Sequence, residues 1–498
     1  MSISGIGSQT SLIVQSLVDT RRQLDDLQRQ LGTGKKADTY AGLGLDRGLA
    51  VGLRAHVASL GGFDNAITNV GVRINLAQVA LGRISDITHQ IKAATLQPGA
   101  IDSNGSTNAQ LNAYLELGEL LGLLNTQAGD RYLFSGRSTD QPAVETLDHV
   151  MNGDGPRAGL KQITAERKQA DLGANGLGRL LITAPTPFSV RLREDVVSPF
   201  GLKLAGVTSN LANATVTPSG PPTGTTVDLT AGNPNDGDTI EYRFTLPDGS
   251  TESITLTATT SANPGPNQFA IGATSDLTAG NLLTALTAAV GKLAATSLTA
   301  ASAVAAAGDF FNVDAGQPPQ RVAGPPFDTA TAFVAGTPAD TVTWYTGEMG
   351  ADPARATATA SVDISITVSY GLRANEQGLR WVVQNVAALA AMTFSQSDPN
   401  AAERSAALNQ RIGTALAVPA GTQKVEDIEG ELAGAQTTLS AASDRHRQTK
   451  ATLSDMLEQI EGISNEEVAS TILAMQTRRQ ASLQTTALLF QTSLVRYL

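Results

Sequence analysis

The chain has 498 residues, 41% hydrophobic and only 4% aromatic, with a formal net charge of -11. That length exceeds what one hydrophobic core supports, so a few domains are expected. The acidic balance disfavours a phosphate-tracking nucleic-acid binder, which needs a basic stripe, and the absence of cysteine excludes disulfides, thiolate zinc sites and cysteine nucleophiles.

In chain order, a helix is predicted from about Ser8 to Leu31. Ile13, Leu17, Thr20, Leu24, Leu27 and Leu31 alternate four and three, a heptad-like seam with Asp and Arg on the other faces. Gly32-Thr33-Gly34 then offers a residue able to take positive φ. Residues 35–48 read as a glycine-rich linker. Gly42-x-Gly44 with Gly48 is no dinucleotide loop, because a helix and not a strand precedes it. The opening nine residues carry no basic group and no apolar core follows, so no secretory signal is expected. No run approaches the length of a membrane span.

From residue 49 to about 96, Val57, Leu60, Ile67, Val70, Ile74, Val79, Leu81, Ile84, Ile87 and Ile91 recur at helical spacing. Gln97-Pro98-Gly99 breaks that run. A further helix over residues 107–128 carries Leu111, Leu115, Leu117, Leu120, Leu121 and Leu124, closed by Gly129. Short connections between long helices imply antiparallel neighbours. Strands are predicted at 132–134 and 188–195. Residues 201–312 form a block poor in Lys and Arg and rich in Thr, Gly, Pro and Ala. Within it Ile240, Tyr242, Phe244 and Leu246 alternate, Pro247-Asp248-Gly249 turns, and Ile254 and Leu256 alternate back, a hairpin signal. An Ala/Leu-rich helix at 279–307 follows, so the block reads as a separate α+β domain.

After a Pro/Gly-rich loop, strand alternation returns at 340–348 and 356–370. Helical spacing resumes with Leu379, Val382, Val383, Val386 and Leu389, then over 401–460 with an interruption near Pro419 and a seam of Leu432, Leu439, Leu453 and Ile460. The last stretch, 465–498, carries Val468, Ile472 and Met475. After a one-residue slip come Leu483, Ala487, Phe490, Leu494 and Tyr497, an amphipathic helix with nothing adjacent in sequence to cover it. The fold class is therefore expected to be α+β: a long antiparallel helical bundle or coiled coil from both termini with a central β-rich insert. The two terminal helices are expected to pair with each other and with copies of themselves.

Three stretches resemble the bacterial flagellin superfamily. They are LQRQLGTGKKADTYAGLGLDRGLAVGLRA (27–55), LLNTQAGDRYLFSGRSTDQPAV (123–144) and TRRQASLQTTALLFQTSLVRYL (477–498). The latter two are more similar to members at the hook-filament junction than to those that build the filament. In place of the usual Asn and Asp-Asp-Pro after the Thr-Gly-Lys turn stand Ala37-Asp38-Thr39-Tyr40. The resemblance implies a non-enzymatic structural subunit of the bacterial flagellum that supports motility. It also implies secretion through type III export, an extracellular location, and partners comprising further copies, related flagellar subunits and an export chaperone at the C-terminal helix.

On that layout residues 1–48 and 463–498 form an inner tube domain, 49–145 and 372–462 the two halves of the bundle, 146–200 a mixed β-rich segment, 201–312 the inserted outer domain and 313–371 a β-rich return. The subunit-interface residues expected are Ile13, Leu17, Leu24, Leu27, Leu31, Val468, Ile472, Met475, Leu483, Phe490, Leu494 and Tyr497. Neither nucleic acid nor membrane insertion is expected.

An enzyme carried in the insert is the rival class. That block has no histidine, no His-Glu-x-x-His and no Gly-x-Ser-x-Gly. Asp236 and Asp238 read as turn residues rather than a catalytic dyad or a calcium loop. The four histidines, His56, His89, His149 and His446, stand singly without ligand spacing and read as surface or rim residues. No catalytic, cofactor or metal residue is expected. A coiled-coil adhesin or fibre is a third reading of the long helices.

Overall fold

The computed structural model describes residues 4–97, 99–314 and 318–495. Helix α1, Ser4–Thr33, ends where Gly34 takes a φ of +69° and donates its N–H to the Gln30 carbonyl at 2.7 Å. The expected linker contains a short 3-10 stretch, Tyr40–Asp46, and leads into α2, Arg47–Thr95. Pro98 lies outside the described residues; α2 has already ended before it. Helix α3, Asn108–Leu124, starts from a capping box. The Thr107 hydroxyl accepts from the Gln110 N–H at 3.3 Å, and the Gln110 side chain accepts from the Thr107 N–H at 3.0 Å. Strands β1, Gln127–Ala128, and β2, Arg131–Tyr132, pair around Gly129. The predicted strand at 132–134 stops short because Phe134 is fully buried and its carbonyl accepts instead from Ala374 at 2.8 Å.

Helices α4, Leu147–Asn152, and α5, Leu160–Leu172, come next. Then follow β3, Leu180–Thr183; β4, Ser189–Glu194; β5, Lys203–Ser209; β6, Thr215–Ser219; β7, Gly224–Asp228; β8, Thr239–Thr245; β9, Thr251–Thr259; and β10, Gln268–Ala270. Helix α6, Ser275–Leu293, continues through a π turn, Ala294–Leu298, into α7, Thr299–Phe311, so the helix predicted at 279–307 is longer and interrupted. The π turn leaves the Ala295 carbonyl to accept from Arg404 at 2.7 Å. After β11, Gln320–Val322, and β12, Phe333–Ala335, no strand forms over 340–348. Only isolated bridges to Ala158 and Val144 are made there, because consecutive Trp344 and Tyr345 are both buried and break the two-residue period. Strands β13, Thr359–Asp363, and β14, Ile366–Ser369, form a hairpin. Helices α8, Gln377–Ala391; α9, Ala401–Ala415; α10, Val425–Glu461; and α11, Asn465–Val495, complete an α+β fold with long helices at both ends and strands between.

The chain divides into two compact units. The first takes residues up to 70, 360–368 and from 437 onward. Besides α1 and α11 it holds the first part of α2 against the second part of α10, with Leu53, Leu60 and Leu453 buried and Val57, Leu457 and Ile460 packed on them. The second takes residues 71–359 and 369–436. In it α3 packs on α8, and α7 packs on α5, α8 and α9. The expected hairpin is present as β8 and β9, with Tyr242 opposite Ile254 and the turn closed by Leu246 donating to Ser250 at 2.8 Å.

Two four-stranded sheets, ordered β10-β9-β8-β5 and β3-β4-β7-β6, share one core with α6. That core joins Val190, Leu192 and Val227 to Tyr242, Phe244, Leu256, Leu282, Leu286 and Val290. Each such side chain contributes about 1.5–3 kcal/mol on full burial. Contrary to the sequence reading, one helix among the described residues, Ser275–Phe311, is long and apolar enough to cross a membrane. Its Leu282, Leu286, Val290 and Leu298 are instead fully buried in protein.

Candidate assembly interface

The first and last helices pair within the first unit. Leu24, Val468 and Ile472 are buried in one cluster, with Leu27, Ile463 and Met475 packed against it. The register of the pair is set at its base. The Lys36 N–H donates to Glu461 at 2.7 Å and the Ile463 N–H to Gly34 at 3.1 Å, making an antiparallel bridge between Lys35 and Gly462. Polar contacts surround it. Arg29 bonds Asp38 at 2.9 Å, the Gln30 amide donates to the Lys36 carbonyl at 2.8 Å, and Arg54 pairs with Glu461 while donating to the Tyr40 hydroxyl at 3.1 Å. The Glu461 carboxylate, then Tyr40, hold the Arg54 guanidinium above its ordinary value.

Beyond this base the apolar residues part company with the seam. On α11 the face turned towards α1 continues from Val468, Ile472 and Met475 to half-buried Ser482 and Thr486. The one-residue slip in the sequence puts Leu483 outside that face, 47% exposed, together with Leu488 at 61% and Leu473 at 65%. On α1, Leu17 and Leu27 are half-buried and Leu24 buried, whereas Leu31 is exposed and Leu12, Val14 and Val18 are more so. Of the other residues expected at the interface, the side chains of Ile13, Phe490 and Leu494, and the whole of Tyr497, lie outside the described residues.

Each terminal helix thus has one apolar face paired inside the protomer and further apolar side chains exposed away from it. Sequence reasoning named the paired face and, of the exposed side chains, only Leu31 and Leu483. It passed over Leu12, Val14, Val18, Leu473 and Leu488, although Val14 and Val18 repeat at four-residue spacing beside the main seam.

Asp236 and Asp238 occupy turn roles. The Asp236 carboxylate accepts from the Thr260 N–H at 2.8 Å, and Asp238 accepts from Ala212 and Asn235, each at 2.8 Å. Among the described residues no group of three or more His, Cys, Asp or Glu is placed to hold a metal ion. His56 and His89 are exposed, and His149 meets Glu145 at 3.0 Å. His446 departs from the surface reading. It is only 2% exposed, because the fold brings to it carboxylates far away in sequence, Asp64 on α2 and Asp363 on β13.

Residues 8–139 match the family model of the bacterial flagellin N-terminal helical region. The match takes in most of α1, all of α2 and α3, and the β1–β2 turn. The likeness to the flagellin superfamily is thus to its N-terminal helical region and leaves residues 140–498 outside it. No curated protein matches the chain.

Proposed function

We propose that the chain is the subunit that joins hook to filament in the bacterial flagellum, similar to hook-associated protein 3, exported through the flagellar type III apparatus and located outside the cell. The observation that carries the assembly reading is the set of apolar side chains left exposed on the terminal helices. Leu473 and Leu488 are 65% and 61% exposed on a helix whose opposite face is already buried, and covering them against a neighbour is worth about 1–2 kcal/mol each. Leu24, Leu27, Val468, Ile472 and Met475 join the two helices of one protomer. Leu31 and Leu483, with Ile13, Leu17, Phe490, Leu494 and Tyr497, meet adjacent copies or related flagellar subunits. One such contact repeated head to tail builds a ring or an open helix, which is how a single seam makes a tube. Before assembly the same exposed apolar side chains on the C-terminal helix are a ligand for an export chaperone.

The junction assignment over filament flagellin rests on residues 123–144 and 477–498. Deleting residues 467–498 tests the assembly reading: motility and incorporation are lost while α2, α3 and the insert stay folded, and an unchanged flagellum refutes it. Paired substitutions separate the buried pairing from the exposed apolar side chains. Leu24→Ala lowers the stability of the first unit by roughly 2–4 kcal/mol, whereas Leu473→Ser with Leu488→Ser leaves monomer stability nearly unchanged and abolishes incorporation. Counting copies by labelling intact cells decides the finer point, since a few next to the hook support the junction role and thousands along the length make it a filament flagellin.

A further inference from the structure

His446 projects from α10 into a buried position between two carboxylates. Its Nδ1 lies 2.9 Å from Asp64 Oδ1, and its Nε2 lies 3.6 Å from Asp363 Oδ2 with no hydrogen-bond partner. The Phe63 ring, 5.9 Å away between centroids, flanks the imidazole. Four charged groups face this cluster: Asp64 from α2, Asp363 from the β13–β14 hairpin, and Lys450 and Arg445 from α10 itself. Lys450 bonds Asp64, and Arg445 reaches Asp363 at 3.1 Å.

A neutral imidazole carries one N–H and one lone pair. With the proton on Nδ1, the ring donates to Asp64 but turns a lone pair towards a carboxylate oxygen of Asp363. With the proton on Nε2, the lone pair faces Asp64 at 2.9 Å instead. Only the doubly protonated ring donates to both sides, and donation from a cation to a carboxylate makes the stronger class of hydrogen bond.

We propose that His446 is a proton-operated clamp, which in its charged form draws the hairpin and α2 together onto α10 and on losing its proton lets the hairpin go. Both carboxylates remain ionised while it operates. Burial pushes the Asp64 carboxyl up, but hydrogen bonds from Lys450 and His446 together hold it below its ordinary value. The Ile364 N–H and Arg445 hold Asp363 low as well.

Histidine is the side chain that ordinarily changes charge between about pH 5 and 8, which makes the clamp readable by hydrogen exchange. In the full chain, amides of residues 359–370 are compared at pH 5.5 and 8.5 after correction for intrinsic exchange. Protection is expected to fall roughly tenfold at the higher pH, the worth of one charge-assisted hydrogen bond. Protection is expected to be flat in His446→Gln. Asp363→Asn keeps the ring and its Asp64 bond but removes the far carboxylate, and it too is expected to lose the step, so the test stays readable if the histidine variant folds poorly. Equal protection at both pH values in the wild type, or a step that survives in Asp363→Asn, overturns the proposal.

Discussion

The backbone N–H of Lys36 donates to the carbonyl of Glu461 across 2.7 Å, joining the exit from the first long helix to the entry into the last. With the return bond from Ile463 to Gly34 at 3.1 Å, it fixes the level at which α11 starts beside α1. The burial of Leu24 with Val468 and Ile472 follows from that level.

Gly462 is the residue on which this base is most sensitive. A Cβ there would lie 2.4 Å from the Glu458 carbonyl oxygen, so the last turn of α10 has to shift. Gly462→Ala is expected to cost the first unit about 1–3 kcal/mol. The measurement is hydrogen exchange at the Lys36 and Ile463 amides, which should lose protection while residues 108–124 keep theirs.

Two pairs of carboxyls, one pair in each unit, are expected to respond to acid in opposite senses. In the first, the Asp64 and Asp363 carboxyls are held below their ordinary value, so the stability they contribute is present above about pH 4 and is lost as the pH falls through their native values. In the second, burial pushes Asp171 up against the opposing pull of Arg167, and pushes Glu376 up against that of Arg355. Stability linked to those groups is greatest below about pH 4 and is lost as the pH rises through their native values. Acidification from neutrality to pH 4 therefore favours the surroundings of Asp171 and Glu376, and further acid disfavours those of Asp64 and Asp363. Hydrogen exchange at pH 3 should show residues 53–64 and 445–460 opening before 160–171 and 377–389; the reverse order would contradict these assignments.

Gln110 does more than close the capping box of α3. Its side-chain amide donates to the Leu389 carbonyl at 3.2 Å and the Met392 carbonyl at 2.6 Å, tying the start of α3 to the end of α8. Gln110→Ala leaves those buried carbonyls without this donor and is expected to cost about 1–3 kcal/mol. Thr107→Ala, which removes the cap alone, should cost about 1 kcal/mol. Urea unfolding followed by circular dichroism compares the two, and equal losses would mean that the carbonyl contacts contribute nothing.

The long helices were legible because their apolar residues keep one period over many turns, and the β8–β9 hairpin because alternation and Pro247-Asp248-Gly249 agree. Where burial and period conflict, legibility fails. Trp344 and Tyr345 sit in an alternating run, yet both turn inward and no strand forms. The slip between Met475 and Leu483 was visible as a break in spacing, but not what it does, since which face of α11 meets α1 depends on the contact at Lys36 and Glu461. His446 was unreadable for a related reason: Asp64 and Asp363 reach it only through the fold, and no local spacing encodes them. The capping box Thr107-x-x-Gln110, by contrast, is a local pattern that the sequence reading passed over.

Because the bridge between Lys35 and Gly462 closes the chain on itself, everything from residue 36 to 461 is an excursion that departs from and returns to one place. Lengthening, shortening or replacing its far portion leaves the phase of the end helices unaltered. Change in that far portion can therefore proceed while the pairing of the two end helices stays constant.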